Sequence, residues 1–68
     1  MLLHVQNMSC QHCVQRVTRA LRALDPAATV EVDLTRGEVR TQGAFGTDAA
    51  LAALADADYP ATLLSLED

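Results

Sequence analysis

The sequence predicts an α+β domain made of one four-stranded antiparallel sheet with two helices on one face. Apolar and polar residues alternate in four short runs, the period of a half-buried strand, and apolar residues recur every three or four positions in two longer runs, the period of an amphipathic helix. Along the 68 residues these runs fall in the order strand, helix, strand, strand, helix, strand.

Leu3 and Val5 alternate with His4 and Gln6, giving a first strand with His4 on its exposed face. Asn7 to His12 reads as a loop. Val14, Val17, Leu21 and Leu24 then line one stripe of a helix, which Asp25-Pro26 ends because the residue before a proline disfavours helical backbone. Val30, Val32 and Leu34 alternate with Glu31 and Asp33 in a second strand. Thr35-Arg36-Gly37 is a turn, and Val39 and Thr41 mark a third strand that closes a hairpin. After the loop from Gly43 to Gly46, Thr47 is expected to cap a second helix, with Asp48 at its positive end and Ala50, Leu51, Leu54 and Ala55 on its inner face. Asp56 to Pro60 breaks it. Ala61 to Leu66 forms the last strand, in which Leu63, Leu64 and Leu66 compete for the inner side and the register stays open.

This order is that of a ferredoxin-like βαββαβ sandwich, and right-handed crossovers place both helices on the same side of the sheet. The expected organisation is a single domain over residues 1–68. A chain this short buries only about 60% of its unfolded surface. Twelve of its apolar residues are alanine, so the core reduces to a thin set of Leu and Val with Phe45, expected to supply about 3–5 kcal/mol.

Charge and composition exclude several classes of function. The net charge is −4, with five Arg and no Lys, which argues against a nucleic-acid partner because phosphate binding wants clustered cations. No apolar stretch approaches the roughly 20 residues that cross a bilayer. The first residues lack a cationic segment followed by a long apolar run, so no secretory signal is expected. A cytoplasmic location follows as an expectation, and there thiols stay reduced and a Cys-x-x-Cys pair is more often a metal or redox site than a structural disulfide.

The only two cysteines lie in Met8-Ser9-Cys10-Gln11-His12-Cys13. Cys10 sits in the loop and Cys13 begins the helix, where free amides and the helix dipole favour a thiolate. Two intervening residues let both sulfurs converge on one ion. Thiolates select soft ions such as Cu(I), with Zn(II) as competitor, but no cysteine remains to close the four-ligand set of a structural zinc site. His12 reads as an exposed loop residue rather than an added ligand. Arg16, Arg19 and Arg22 run along one side of the first helix. Such a face is ordinarily just solvated; here, with three of five cations on one helix of an acidic chain, it also suits docking to an acidic partner, which the salt dependence of transfer would reveal.

Met-x-Cys-x-x-Cys between a first strand and a first helix, in a chain of this length and element order, resembles the heavy-metal-associated domain family, and Met8 to Val14 is similar to the loop of its bacterial copper chaperones. The resemblance covers nearly the whole chain, through the hairpin at Gly37 and the Asp58-Tyr59 loop. It implies Cu(I) bound by Cys10 and Cys13, Met8 as a core anchor under the loop, and Tyr59 near the metal loop. Ser9 matches copper-type members, where zinc-type members often carry an acidic residue. Asn7 and Asp58 stand where the family has glycine; Asn tolerates left-handed backbone, and Asp58 adds a carboxylate near the site.

The implied function is a carrier, not an enzyme. It would hand Cu(I) by ligand exchange to the metal-binding domain of a copper-transporting P-type ATPase or to a copper-responsive repressor. It would act as a monomer, or as a homodimer where copper bridges two chains, without inserting into a membrane. The alternatives are a thiol–disulfide oxidoreductase using the same pair, or a zinc- or mercury-binding regulatory domain.

Overall fold

The computed structural model describes residues 1–66; Glu67 and Asp68, which the single-domain reading includes, lie outside the described residues. Six elements follow in the expected order: β1 (Leu2–Val5), α1 (Gln11–Leu24), β2 (Thr29–Asp33), β3 (Glu38–Gln42), α2 (Thr47–Asp56) and β4 (Ala61–Ser65). The strands form one antiparallel sheet in the spatial order β2-β3-β1-β4.

Register fixes which face each residue shows. Leu3 pairs with Val39, and Val39 with Val32, while Val30 pairs with Thr41. Side chains alternate across a strand, so these residues all point to the helical side. There they meet Val17 and Leu21 of α1 and Ala50 and Leu54 of α2 in a single core, with Met8 and Tyr59 closing one end. Each fully buried Leu or Val contributes about 1.5–3 kcal/mol. Thr41 is the one buried polar residue among those described, and its hydroxyl donates to the Thr29 carbonyl at 2.8 Å. Phe45 packs against the core from its rim.

Several details depart from the sequence reading. The loop ends at Cys10, not His12: the Val14 amide donates to the Cys10 carbonyl at 3.1 Å, so the helix starts at Gln11 and Cys13 is already its third residue. Thr47 is not the cap of α2. Gly46, with extended backbone, takes that place and accepts from the Ala50 amide at 3.1 Å. Ala55 faces solvent, and Ala50 and Leu54 carry the inner face. In β4, Leu3 pairs with Leu63 and Val5 with Ala61, and a register shift before Leu2↔Ser65 leaves Leu64 out of the pairing. Leu63, Leu64 and Leu66 are 39%, 51% and 68% exposed, so none of the competing leucines is buried.

Two loop devices hold the helices in place. α1 ends at Leu24, and the Asp25 carboxylate accepts the Ala44 amide at 2.8 Å and the Ala27 amide at 3.0 Å. These donors, Ala44 foremost, hold its carboxyl below the usual range and tie the loop after α1 to the loop before α2. The end of α2 is a Schellman turn: the Tyr59 amide reaches the Leu54 carbonyl (2.8 Å) and the Asp58 amide the Ala55 carbonyl (3.0 Å). This turn needs a left-handed residue, and Asp58 supplies it at φ 70. A side chain there is strained, and its carboxylate lies just past the negative end of the helix. Asp58→Gly is therefore expected to stabilise the domain by about 1 kcal/mol and raise Tm by about 4–8 °C in a thermal melt; an unchanged or lower Tm would contradict this.

Candidate metal centre

The loop between β1 and α1 is built from both ends. Asn7 adopts φ 66 at its start, as its glycine-like place requires. The Gln6 amide donates to the Pro60 carbonyl at 2.8 Å, which brings the loop beside the turn that carries Tyr59. Met8 points inward and is 6% exposed, so it anchors the loop in the core. Cys10, with extended backbone, is the N-cap of α1 but makes no side-chain capping bond, and its thiol is exposed. One turn on, the half-buried Cys13 packs against the core.

The two thiols are free and 3.2 Å apart. That is well beyond the roughly 2.05 Å of a disulfide and short enough for an S–H···S contact. In its protonated form the Cys13 thiol also reaches the Asn7 carbonyl at 3.6 Å. The structure thus brings the two predicted site residues together at the mouth of α1. His12 is exposed on the first turn. Among the described residues no group of three or more His, Cys, Asp or Glu side chains gathers in a metal-binding arrangement.

Tyr59 is the residue that the resemblance places near the metal loop. It is 6% exposed in the core, and its hydroxyl is the leading influence on the Cys13 thiol. It is the first cause of a Cys13 pKa lowered from 9.0 to about 6; backbone donors at Ser9 and the Cys10 thiol add to it, and burial opposes it. Cys13 in turn holds the Tyr59 hydroxyl pKa above its ordinary value. Helix amides and the helix dipole, which the sequence offers, are thus not the leading causes. Of the three helical arginines, Arg22 donates from Nε to the Ala28 carbonyl at 3.3 Å, so one of the three also serves the fold.

Acidification of Cys13 links stability to pH. Between about pH 6 and 9 the unfolded thiol holds a proton that the folded one has lost, so the unfolded state binds more protons and stability rises with pH across that window. The gain is lost as pH falls through about 6. Chemical melts of the reduced, metal-free protein should show this rise, and Tyr59→Phe should flatten it. A slope unchanged by that substitution would remove Tyr59 as the main cause.

A small α+β domain that presents a pair of reduced, hydrogen-bonded thiols at a helix mouth has the build of a soft-ion carrier. The chain belongs to the heavy-metal-associated domain family, whose model matches residues 2–57; this is a family of metal-trafficking, non-enzymatic domains. It is 46% identical over 37 residues to the copper chaperone CopZ of Bacillus subtilis, covering 54% of each chain. It is 42% identical over 41 residues to the CopZ of a Staphylococcus aureus strain, covering 60% of each. The match thus spans little more than half the length of these curated relatives. Among solved structures it resembles the copper chaperone Atx1 from Synechocystis PCC6803, with TM-score 0.87, 34% identity, and 91% of this chain and 98% of the other covered. No helix among the described residues is long and apolar enough to cross a membrane.

Proposed function

We propose that this domain, spanning residues 1–68, is a cytoplasmic carrier that binds copper as Cu(I) through Cys10 and Cys13 and delivers it by ligand exchange. The observation that carries this reading is the pair of free sulfurs 3.2 Å apart, one exposed and one half-buried. Two thiolates bracketing one ion at bonds of about 2.3 Å would stand at most roughly 4.6 Å apart. Cys10, exposed and bound by no capping contact, supplies the opening by a side-chain rotation.

An ion held by two sulfurs keeps an open side. A cysteine of the acceptor joins it there, and one donor sulfur then leaves. The acceptor that fits is a cysteine-bearing copper protein, either the metal-binding domain of a copper-transporting P-type ATPase or a copper-responsive repressor. The copper named in the CopZ and Atx1 relatives supports the choice of ion. The test is anaerobic Cu(I) titration against a competing chelator, repeated with Zn(II). One Cu(I) per chain retained against the chelator is the expected result, and displacement of Cu(I) by an equal amount of Zn(II) would reverse the assignment.

A further inference from the structure

β2 and β4 are the two edges of the sheet, and they are guarded differently. β2 carries Glu31 and Asp33, and charges on an edge strand keep a second chain from pairing with it. β4 is the only one of the four strands without an ionisable residue, in a chain whose net charge is −4. It is also where exposed apolar surface gathers. Leu63, Leu64 and Leu66 make up three of the four exposed large apolar residues among those described. Leu63 sits opposite Leu3 and so lies on the helical side, while the register shift leaves Leu64 outside the pairing with β1.

The occupant that fits this edge is a second copy of the same edge. Two β4 strands meet with no like charges facing one another, and the leucines of each find leucines on the other. We propose that the β4 edge is a self-association surface, at which Leu63, Leu64 and Leu66 of two copies pack antiparallel about a two-fold axis. The irregularity at Leu64 interrupts regular backbone pairing, so the contact rests on the side chains. A five-residue strand spans about 17 Å, too short to bury the roughly 1,200 Å² of a stable interface, so the pair is weak and forms only at high concentration. The two-fold also separates the thiol pairs. β4 starts beside the metal loop, where the Gln6 amide meets the Pro60 carbonyl. Antiparallel packing therefore puts the two metal loops at opposite ends of the dimer and leaves both open. A copper-bridged dimer needs the loops together, so this pair is a different one and forms without metal.

The test is sedimentation equilibrium of the reduced, metal-free protein from about 20 µM to about 1 mM, the range in which so small a contact forms. The apparent mass should lie near 7.3 kDa at the lower end and rise toward twice that at the upper. Leu64→Lys, which sets two like charges against each other across the two-fold, should stay monomeric throughout. Leu66→Glu should do the same. Both side chains are exposed, so both variants should keep the circular dichroism of the wild type. Glu31→Gln, on the opposite edge, should associate as the wild type does. A wild type still monomeric at the upper end would assign the leucines to a different protein and overturn the proposal. So would a mass beyond the dimer, association undiminished in both leucine variants, or association altered as much by Glu31→Gln as by Leu64→Lys. Cu(I) retention is measured separately, and its failure would sink the carrier reading alone.

Discussion

Serine at either position 10 or position 13 should weaken Cu(I) binding by about a hundred- to a thousandfold. Structural zinc sites draw about 10–16 kcal/mol from four ligands, so one metal–thiolate bond is worth roughly a quarter of that. Among the described residues no group of three or more His, Cys, Asp or Glu side chains stands ready to take up the loss. The two variants are expected to differ in their side effects. Cys10 makes no capping bond, so Cys10→Ser should leave the fold intact. Cys13→Ser replaces the sulfur on which Tyr59 acts and should abolish the rise of stability between about pH 6 and 9. Anaerobic competition with a chelator measures the first effect and pH-dependent melts the second. Retention of Cu(I) at wild-type strength by either variant would remove that cysteine from the site.

Leu21→Ala should leave the metal-free protein marginal, with a substantial unfolded fraction at room temperature. Leu21 is fully buried where α1 meets the sheet and the second helix. Truncating such a leucine costs about 2–5 kcal/mol, and a core of this size offers only about 3–5 kcal/mol in all. Leu64→Ala is the control: at 51% exposure and outside the strand pairing, Leu64 should matter by no more than about 0.5 kcal/mol. Urea melts followed by circular dichroism separate the two. Saturating Cu(I) should restore structure to Leu21→Ala, since an ion bound only by the folded state adds about 2.7 kcal/mol at a hundredfold excess over Kd. A Leu21→Ala loss under 1 kcal/mol would show that the core is larger or more plastic than its ten buried apolar residues suggest.

The elements were legible in the sequence because their signals are local. Alternation at Leu3 and Val5 or Val39 and Thr41 fixes which side of a strand is apolar whatever it pairs with, and the stripe through Val17 and Leu21 does the same for α1. Element order then leaves few topologies, and the ferredoxin-like one is what forms. The cysteine pair was legible for the same reason, since two intervening residues at a helix mouth bring the sulfurs together without help from the rest of the chain. Asn7 and Asp58 were marked by standing where glycine is usual, and both adopt positive φ.

What escaped were boundaries and long-range bonds. Thr47 looked like a cap because its side chain suits one, but the backbone turns helical there and Gly46 accepts the first bond. Leu63, Leu64 and Leu66 gave no register, because register is set by β1, whose irregularity between Leu2 and Leu3 leaves Leu64 aside, and β4 ends at Ser65 before Leu66. Asp25 revealed nothing of Ala44, and Tyr59 was placed near the metal loop by resemblance alone, since these partners meet only after the chain has folded. The sequence by itself determined the elements, their faces and the two sulfurs, because each follows from residues within a turn or two of one another. The tertiary structure alone decided the register of β4 and the placing of Tyr59 that makes Cys13 acidic, because those depend on where distant backbone comes to rest.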